Sequence, residues 1–376
     1  MYYWRLSGFY LFYFASLGAL IPYWGLYLKS LGCGSVEIGE LVAIIMATKI
    51  VAPNVWGWIA DHTGRRMAIV RAGCLFAALA FAGVFFGQGY WWLVLVMSVF
   101  SFFWNAALPQ FEATTLNHLG DQTHRYSSIR LWGSIGFIVA VAGLGALFEQ
   151  AGTALLPSVL LVLLAAIWLS SLLVPESAAG HQALNEEPLR KVLRQPAVVS
   201  LLLVCFLLQA SHGPYYTFYS LYMVDHGYSE TAIGQLWALG VVAEIAVFLK
   251  MHHWLPRFGA RNLMLAAAAL TALRWLLIAL FVDQVWIMAF AQTLHAASFG
   301  VYHAVSIHLI HHLFTGRHQG RGQALYSSLS FGAGGAAGSL LAGYMWDGIG
   351  AQWTYILAAA TAVLAGWIAW RGVERV

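Results

Sequence analysis

The chain has 376 residues, 61% of them hydrophobic and 9% charged, with a formal net charge of +4. Soluble globular domains carry about 25% charged residues, and no single aqueous core absorbs so much apolar surface, so a soluble enzyme or binding module is excluded. Apolar runs of about 20 residues, the length that crosses a bilayer, recur along the whole chain, which leaves a polytopic membrane protein with no separate soluble domain.

Twelve spans are expected, near 5–29, 36–59, 67–87, 90–117, 128–149, 153–174, 197–223, 230–250, 261–281, 285–310, 323–346 and 352–371. The first run has no small-residue cleavage site and flows into a periodic pattern, so it reads as a retained helix and not a signal peptide. Basic residues set the orientation. With the N-terminus inside, the cytoplasmic loops hold Arg65, Arg66, Arg71, Arg125, Arg190, Lys191, Arg194, Lys250, Arg257, Arg261, Arg317 and Arg321, and the tails add Arg5, Arg371 and Arg375. The outer loops hold one basic residue, Lys29, beside acids such as Glu37, Glu149 and Asp283. Both termini are therefore expected in the cytoplasm. Cys33, Cys74 and Cys205 fall in or beside different spans, which argues against a disulfide framework.

Taken in chain order, span 1 carries Tyr23, Trp24 and Tyr27, rings that fit either an interfacial belt or a substrate-stacking wall. Span 2 carries Lys49. The loop after it, "GWIADHTGRR", sets Gly57, Asp61, Gly64, Arg65 and Arg66 at the cytoplasmic side. Asp61 can pair near a helix end, Gly64 permits a tight turn, and the arginines fix topology. Spans 4 and 5 carry Glu112 and Arg130 near their cytoplasmic ends, where long side chains snorkel and a structural pair is the reading from physics alone. The longest polar stretch, 175–196, divides the chain into a 1–174 bundle and a 197–376 bundle. Beyond it, span 7 carries Tyr215 and Tyr219, span 8 Glu244, span 9 Arg274 and span 10 His295. His308 and His312 stand four apart without a cysteine or carboxylate beside them, so no metal and no cofactor is expected. In span 11, Gly334–Gly338 and Ser339–Gly343 offer small residues at spacing four, which lets helices approach closely.

The two halves align without gaps at an offset of 195. Ser16 falls on Ser211, Gly18 on Gly213, "LY" at 26–27 on "LY" at 221–222, Gly32 on Gly227, and "IGEL" at 38–41 on "IGQL" at 233–236. "HTGRR" at 62–66 falls on "RFGAR" at 257–261, keeping the glycine and the last arginine. An even number of helices per half makes this a parallel repeat, the plan of major facilitator transporters. A charge at membrane depth costs at least about 2.5 kcal/mol and needs a partner, a wet cavity or a function. Glu244 minus 195 is 49, so opposite charges occupy matching positions in the two halves. A structural Lys49–Glu244 tie and a substrate or proton path are both open. The mid-depth belt holds Lys49, Arg274, Glu244 and His295, a surplus of one fixed positive charge that suits an anionic substrate.

"GWIADHTGRR" resembles the major facilitator gating pattern, with His62 where a basic residue is usual; the copy at 252–261 has Pro256 in place of the aspartate. The resemblance implies a lock on the cytoplasmic gate. "NAALPQFEATTLNHL" (105–119) followed by "IRLWGSIGF" (129–137) resembles helices 4 and 5 of lactose permease and its relatives, where a glutamate and an arginine eighteen positions apart clamp the substrate; 130 minus 112 is also 18. "FGARNLMLAAAALTALR" and "TLH" resemble that group's helix 9 arginine and helix 10 histidine. Ser298 stands where those relatives carry a coupling glutamate, and their acid–base pair linking helices 7 and 11 is absent. "LLQASHGPYYTFYSLY", "LWALGVVAEIAVF" and "RLWGSIGF" resemble the 3-phenylpropionate (aromatic acid) permease group over essentially the full chain.

The expected protein is thus all-α, with twelve transmembrane helices in two parallel six-helix repeats. The resemblance to the aromatic acid permease group implies proton-coupled uptake of a small organic, aromatic carboxylate; the chain is expected in the inner membrane, working by alternating access, as a monomer, with no nucleic-acid partner. Glu244 is the first candidate for the coupling proton and Glu112 the second. Lys49, Arg130, Glu112, Arg274, His295, Tyr23, Tyr215 and Tyr219 are candidates for substrate contact. Symport of a neutral sugar or nucleoside is the rival reading, favoured if Glu112 and Arg130 outrank Lys49. An exporter on the same fold is another, weakened because span 5 lacks the glycine–proline motif of antiporters. An integral membrane enzyme finds no HExxH, G-x-S-x-G or phosphate loop to support it.

Overall fold

The computed structural model describes residues 2–176, 189–315 and 318–373. Most of the expected linker, with Arg317 and Arg375, lies outside the described residues. All regular structure among the described residues is helical. The chain divides into two compact units, Met1–His181 with Tyr228–Ala238, and Gln182–Gly227 with Leu239–Val376.

The first unit contains α1 (Tyr3–Ser30), α2 (Ser35–Thr63), α3 (Arg66–Phe81), α4 (Tyr90–Leu119), α5 (Tyr126–Ala151) and α6 (Leu156–Leu172). Glu37 caps α2 by accepting the Gly34 N–H at 2.9 Å, and Pro157 opens α6, where a missing N–H costs nothing. Helices α1 and α5 meet almost backbone to backbone. A Cβ at Gly136 would run into the Leu11 main chain, and one at Gly18 would come within 2.7 Å of the Phe137 carbonyl. In lipid, where apolar burial gives helices no net attraction, small residues of this kind allow the close packing that holds them together.

The second unit contains α7 (Leu189–Leu193), α8 (Pro196–Ser211), α9 (Gly213–Asp225), most of α10 (Glu230–Phe258), α11 (Ala260–Leu280), α12 (Val285–Thr293), α13 (Tyr302–Leu313), α14 (His318–Ser327), α15 (Gly335–Gly348) and α16 (Ala351–Gly372). Among the described residues two π-helical segments interrupt it, Ala296–Val301 between α12 and α13, and Ser328–Gly334 between α14 and α15. Helices α8 and α9 break at His212, and the Gly213 backbone there lies against Gly338, whose own Cβ position is filled by the Ala210 main chain. The first turns of α10 group with the first unit, where Glu149 Oε2 accepts the Thr231 N–H at 3.2 Å.

Among the described residues, eight helical stretches are long and apolar enough to cross a membrane: Tyr3–Ser30, Arg66–Phe85, Tyr90–Ala151, Thr153–Leu172, Pro196–Asp225, Glu230–Phe258, Ala260–Leu280 and Ala351–Gly372. The difference from twelve has local causes. The expected spans at 90–117 and 128–149 run together through a kink at Gln122. The span at 36–59 lies within helix α2, 29 residues long, which is not among the eight. The spans at 285–310 and 323–346 are divided by the π-helical segments into helices of 9 and 12 residues and of 10 and 14 residues.

Positive-φ glycines recur at the offset seen in the sequence, although ψ differs between Gly64 (8°) and Gly259 (152°). Gly32 and Gly227 have φ of 87° and 80°, and Gly64 and Gly259 have φ of 66° and 76°. Each is a left-handed position that a side chain would strain.

Candidate functional site

The second unit buries its charge in one cluster. Arg274, in the middle of α11, is 0% exposed. Its Nη1 donates to His295 Nδ1 and to Ser298 Oγ, both at 3.0 Å, and its Nη2 donates to Gln292 Oε1 at 3.0 Å. The guanidinium also lies over the Tyr215 ring at 4.1 Å, and the Tyr215 hydroxyl donates to the same Gln292 oxygen at 2.9 Å. A buried cation loses several kcal/mol of hydration. Charge-assisted hydrogen bonds of about 1.5–3 kcal/mol each and a desolvated cation–π contact of about 2 kcal/mol offset it.

This arrangement sets the histidine tautomer. Nδ1 of His295 faces a donor that never lacks its proton, so it holds a lone pair, and the imidazole proton lies on Nε2. Nε2 in turn lies 3.3 Å from Glu244 Oε2. Arg274, His295 and Glu244 thus form a continuous line from a fixed cation through an imidazole to a carboxylate, brought together from α11, the residue ahead of the first π-helical segment, and α10. Gly300 makes room for the carboxylate, since a Cβ there would sit 3.2 Å from Glu244 Cγ.

The first unit holds a more open pair. Arg130 Nε lies 3.9 Å from Glu112 Oε1, with side chains 31% and 34% exposed. Tyr126 donates to the same Glu112 oxygen at 3.3 Å. The guanidinium carbon lies over the Phe14 ring at 3.8 Å, with the Tyr10 ring at 5.5 Å. Lys49 projects from a turn of α2 fastened to α4, where Asn105 donates to Thr48 Oγ1 at 2.9 Å and to the Ile45 carbonyl at 3.2 Å. The Lys49 ammonium contacts Met46 Sδ at 3.5 Å and has no carboxylate within ion-pair distance among the described residues of its unit.

Other candidates are placed as follows. Tyr23 is fully buried and donates to the Val141 carbonyl at 2.6 Å. Tyr219 is also fully buried, its ring 4.9 Å from that of Tyr215. In the motif that ends α2, Arg66 pairs with Asp61 at 2.9 Å across the Gly64 turn, Gly57 faces Gln110, and Arg65 is exposed. Both oxygens of Glu176 accept the Met67 N–H at 3.1 Å, and Arg71 donates to the Val174 carbonyl at 2.7 Å, so the segment after α6 is fastened to the start of α3. Sequence reasoning missed Gln292, Tyr126, Phe14 and Glu176, and met Ser298 only as the residue in place of a coupling glutamate. The signal for Gln292 and Ser298 as partners of the cluster is their spacing, three residues either side of His295, which puts them on its face of a helix.

An all-helical chain with helices fit to cross a membrane and charged clusters inside them has the makings of a polytopic membrane transporter. The sequence matches the MFS_1 like family over residues 3–357 and belongs to that family. It is 29% identical over 369 residues to the probable 3-phenylpropionic acid transporter of Escherichia coli (strain K12), covering 94% of each chain. It is 28% identical over 342 residues to the maltose permease of Geobacillus stearothermophilus, covering 90% of this chain and 86% of that one. Among solved structures, a mutant of the nucleoside transporter NupG superposes with a TM-score of 0.87 at 16% identity, covering 100% of both chains, a likeness of fold. The protein is accordingly a multi-pass membrane transporter of a bacterial transporter family, not an enzyme.

Proposed function

We propose that this transporter imports a small aromatic carboxylate together with a proton, by alternating access. The observation that carries the reading is the line from Arg274 through His295 to Glu244, a carboxylate at membrane depth linked by a neutral imidazole to a permanent cation. Such a group binds and releases a proton without leaving an isolated buried charge, because the arginine stays compensated by neutral acceptors. Glu244 is the proposed coupling site, and Glu112 the second. Lys49 and Arg130, cations that keep access to solvent or lack a carboxylate at close range in their unit, are the proposed anion contacts, with Arg274 acting through His295. The name of the Escherichia coli relative supports the aromatic acid class.

The architecture proposed for this chemistry is twelve spans in two parallel six-helix repeats, 1–174 and 197–376 joined by 175–196. Both termini are proposed to lie in the cytoplasm, the chain in the inner membrane, and the monomer to be the working unit. The left-handed glycines recurring at an offset of 195 support the repeat. The motif of Gly57, Asp61, Gly64, Arg65 and Arg66 is proposed to gate the cytoplasmic side. A second reading, symport of a neutral sugar or nucleoside, is favoured by the open Glu112–Arg130 pair, whose paired charges leave hydrogen-bonding edges for hydroxyl groups.

The test is pH outside de-energised cells expressing the chain, on adding aromatic acids, sugars or nucleosides. Alkalinisation with aromatic acids that is lost in Glu244→Gln supports the proposal. Alkalinisation with sugars or nucleosides alone transfers the site to Glu112 and Arg130. Coupling that persists in Glu244→Gln removes Glu244 from its role.

A further inference from the structure

A row of rings leaves the charged cluster along the second unit. His295, Phe299 and His303 are four residues apart, and their planes are nearly parallel. Phe299 lies 5.5 Å from His295 at 8° and 5.7 Å from His303 at 9°. An α-helix of 3.6 residues per turn would swing residues at this spacing steadily round its axis. The wider turn of the π-helical segment Ala296–Val301 brings them closer to one line. Phe331 approaches this row at 6.0 Å from Phe299 and 5.9 Å from His303, tilted by 51° and 57°. It comes from the other π-helical segment, Ser328–Gly334. Both π-helical segments among the described residues therefore place a phenylalanine at the same spot. Segments of this kind interrupt regular helical bonding and concentrate at functional sites.

Two further observations separate this cluster from ordinary packing. Phe299, His303 and Phe331 are half-buried, whereas Tyr326 behind them is buried. The imidazole is also oriented, since His303 Nδ1 lies 2.8 Å from the Tyr326 hydroxyl. A row facing lipid gains nothing from a polar ring held in this way, because polar groups in hydrocarbon are expensive.

We propose that Phe299 and Phe331 form the subsite for the substrate's aromatic ring, with His303, held by Tyr326, as its polar edge. The inference rests on the reading of the protein as an aromatic-acid importer and assigns the residues that select the ring. Offset and edge-to-face ring contacts discriminate a flat π-system from a saturated ring of similar size.

The test compares 3-phenylpropionate with 3-cyclohexylpropionate in proteoliposomes holding the purified chain, for wild type, Phe299→Leu and Phe331→Leu. The two substitutions lie on different helices, so a folding defect in one leaves the other informative. Each is expected to weaken apparent affinity for the aromatic acid by about three- to tenfold and to leave the saturated acid within about twofold. Equal losses for the two acids, or no loss for either, overturn the subsite while leaving the import reading intact. A wild-type chain that carries neither acid overturns the import reading and the subsite with it.

Discussion

Replacing His295 by asparagine or by glutamine separates the work of its two nitrogens. The asparagine Oδ1 falls near the imidazole Nδ1 position, so His295→Asn keeps an acceptor for Arg274 and gives up Glu244. The glutamine Nε2 falls near the imidazole Nε2 position, so His295→Gln keeps a donor for Glu244 and gives up Arg274. Each variant loses one charge-assisted hydrogen bond, about 1.5–3 kcal/mol when nothing replaces it. The two sites differ in what can replace it. Arg274 is 0% exposed, while the Glu244 side chain is 15% exposed and can recover part of its loss from water. With the carboxylate side discounted to about 0.5–1.5 kcal/mol, His295→Gln should be less stable than His295→Asn by about 1 kcal/mol. Equilibrium unfolding in detergent, followed by loss of helical circular dichroism, reads this difference. Substrate-dependent proton uptake should run the other way, impaired in His295→Asn and retained in His295→Gln. If His295→Asn is equally or less stable, Arg274 does not depend on Nδ1 and the tautomer argument fails.

Three further outcomes follow from the packing. Gly213→Ala drives a methyl group into the Gly338 backbone and should cost about 1–3 kcal/mol or more of stability, whereas Gly143→Ala, with open space around it, should gain up to about 1 kcal/mol; thermal inactivation midpoints of the two variants check the contrast. Phe14→Leu removes the ring 3.8 Å beneath Arg130 and should cost about 0.5–2 kcal/mol, with a matching rise in apparent substrate affinity constant if Arg130 touches substrate. Asp61→Asn breaks an ion pair whose aspartate is 68% exposed, so its stability should change by less than about 1 kcal/mol; a large fall in transport rate at unchanged stability would then belong to gating.

The sequence exposes the helices and their turns because apolar run length and positive-φ glycines are local properties. Gly64 sits at the turn its motif implies, and its counterpart Gly259 keeps a left-handed φ of 76° although Pro256 has replaced the aspartate three residues before it. Partners across helices are less accessible. Register alone associates Glu244 with Lys49, because repeats align positions and carry no distances. The fold sets Glu244 against His295, from a segment about fifty residues further along the chain. Gln292 hides because an uncharged polar residue in an apolar helix raises no alarm, and Ser298 stands out only as a missing glutamate, though together they take two of the three hydrogen bonds of a buried guanidinium. The π-helical segments have no periodic signature strong enough to read, and with them goes the alignment of His295, Phe299 and His303. Glu176 reads as the start of a polar linker, and its capping of α3 depends on a return of the chain that only tertiary structure reveals.

If the substrate is an anion, as proposed, the placement of the arginines narrows where its charge is met. Sequence counting leaves one surplus cation in the mid-depth belt without saying which. Arg274 is enclosed by neutral acceptors and an aromatic face, and it reaches a carboxylate through His295, so a substrate anion could bind it only by displacing three hydrogen bonds. Arg130 already has Glu112 at 3.9 Å. Lys49 is the remaining cation, held on a turn that the Asn105 amide makes rigid, with a thioether as its hydrogen-bond contact. Lys49→Gln should therefore lower apparent affinity for 3-phenylpropionate by about tenfold or more, the loss of one charge-assisted contact, while affinity for neutral 3-phenylpropionamide stays within about twofold. Lys49→Arg should recover part of the acid's affinity, since the charge persists and only its geometry changes. Competition of each compound against labelled substrate uptake measures all three. Equal losses for acid and amide would make Lys49 a structural tie, and the surplus charge would then have to be met at Arg130, with Glu112 released to carry the proton.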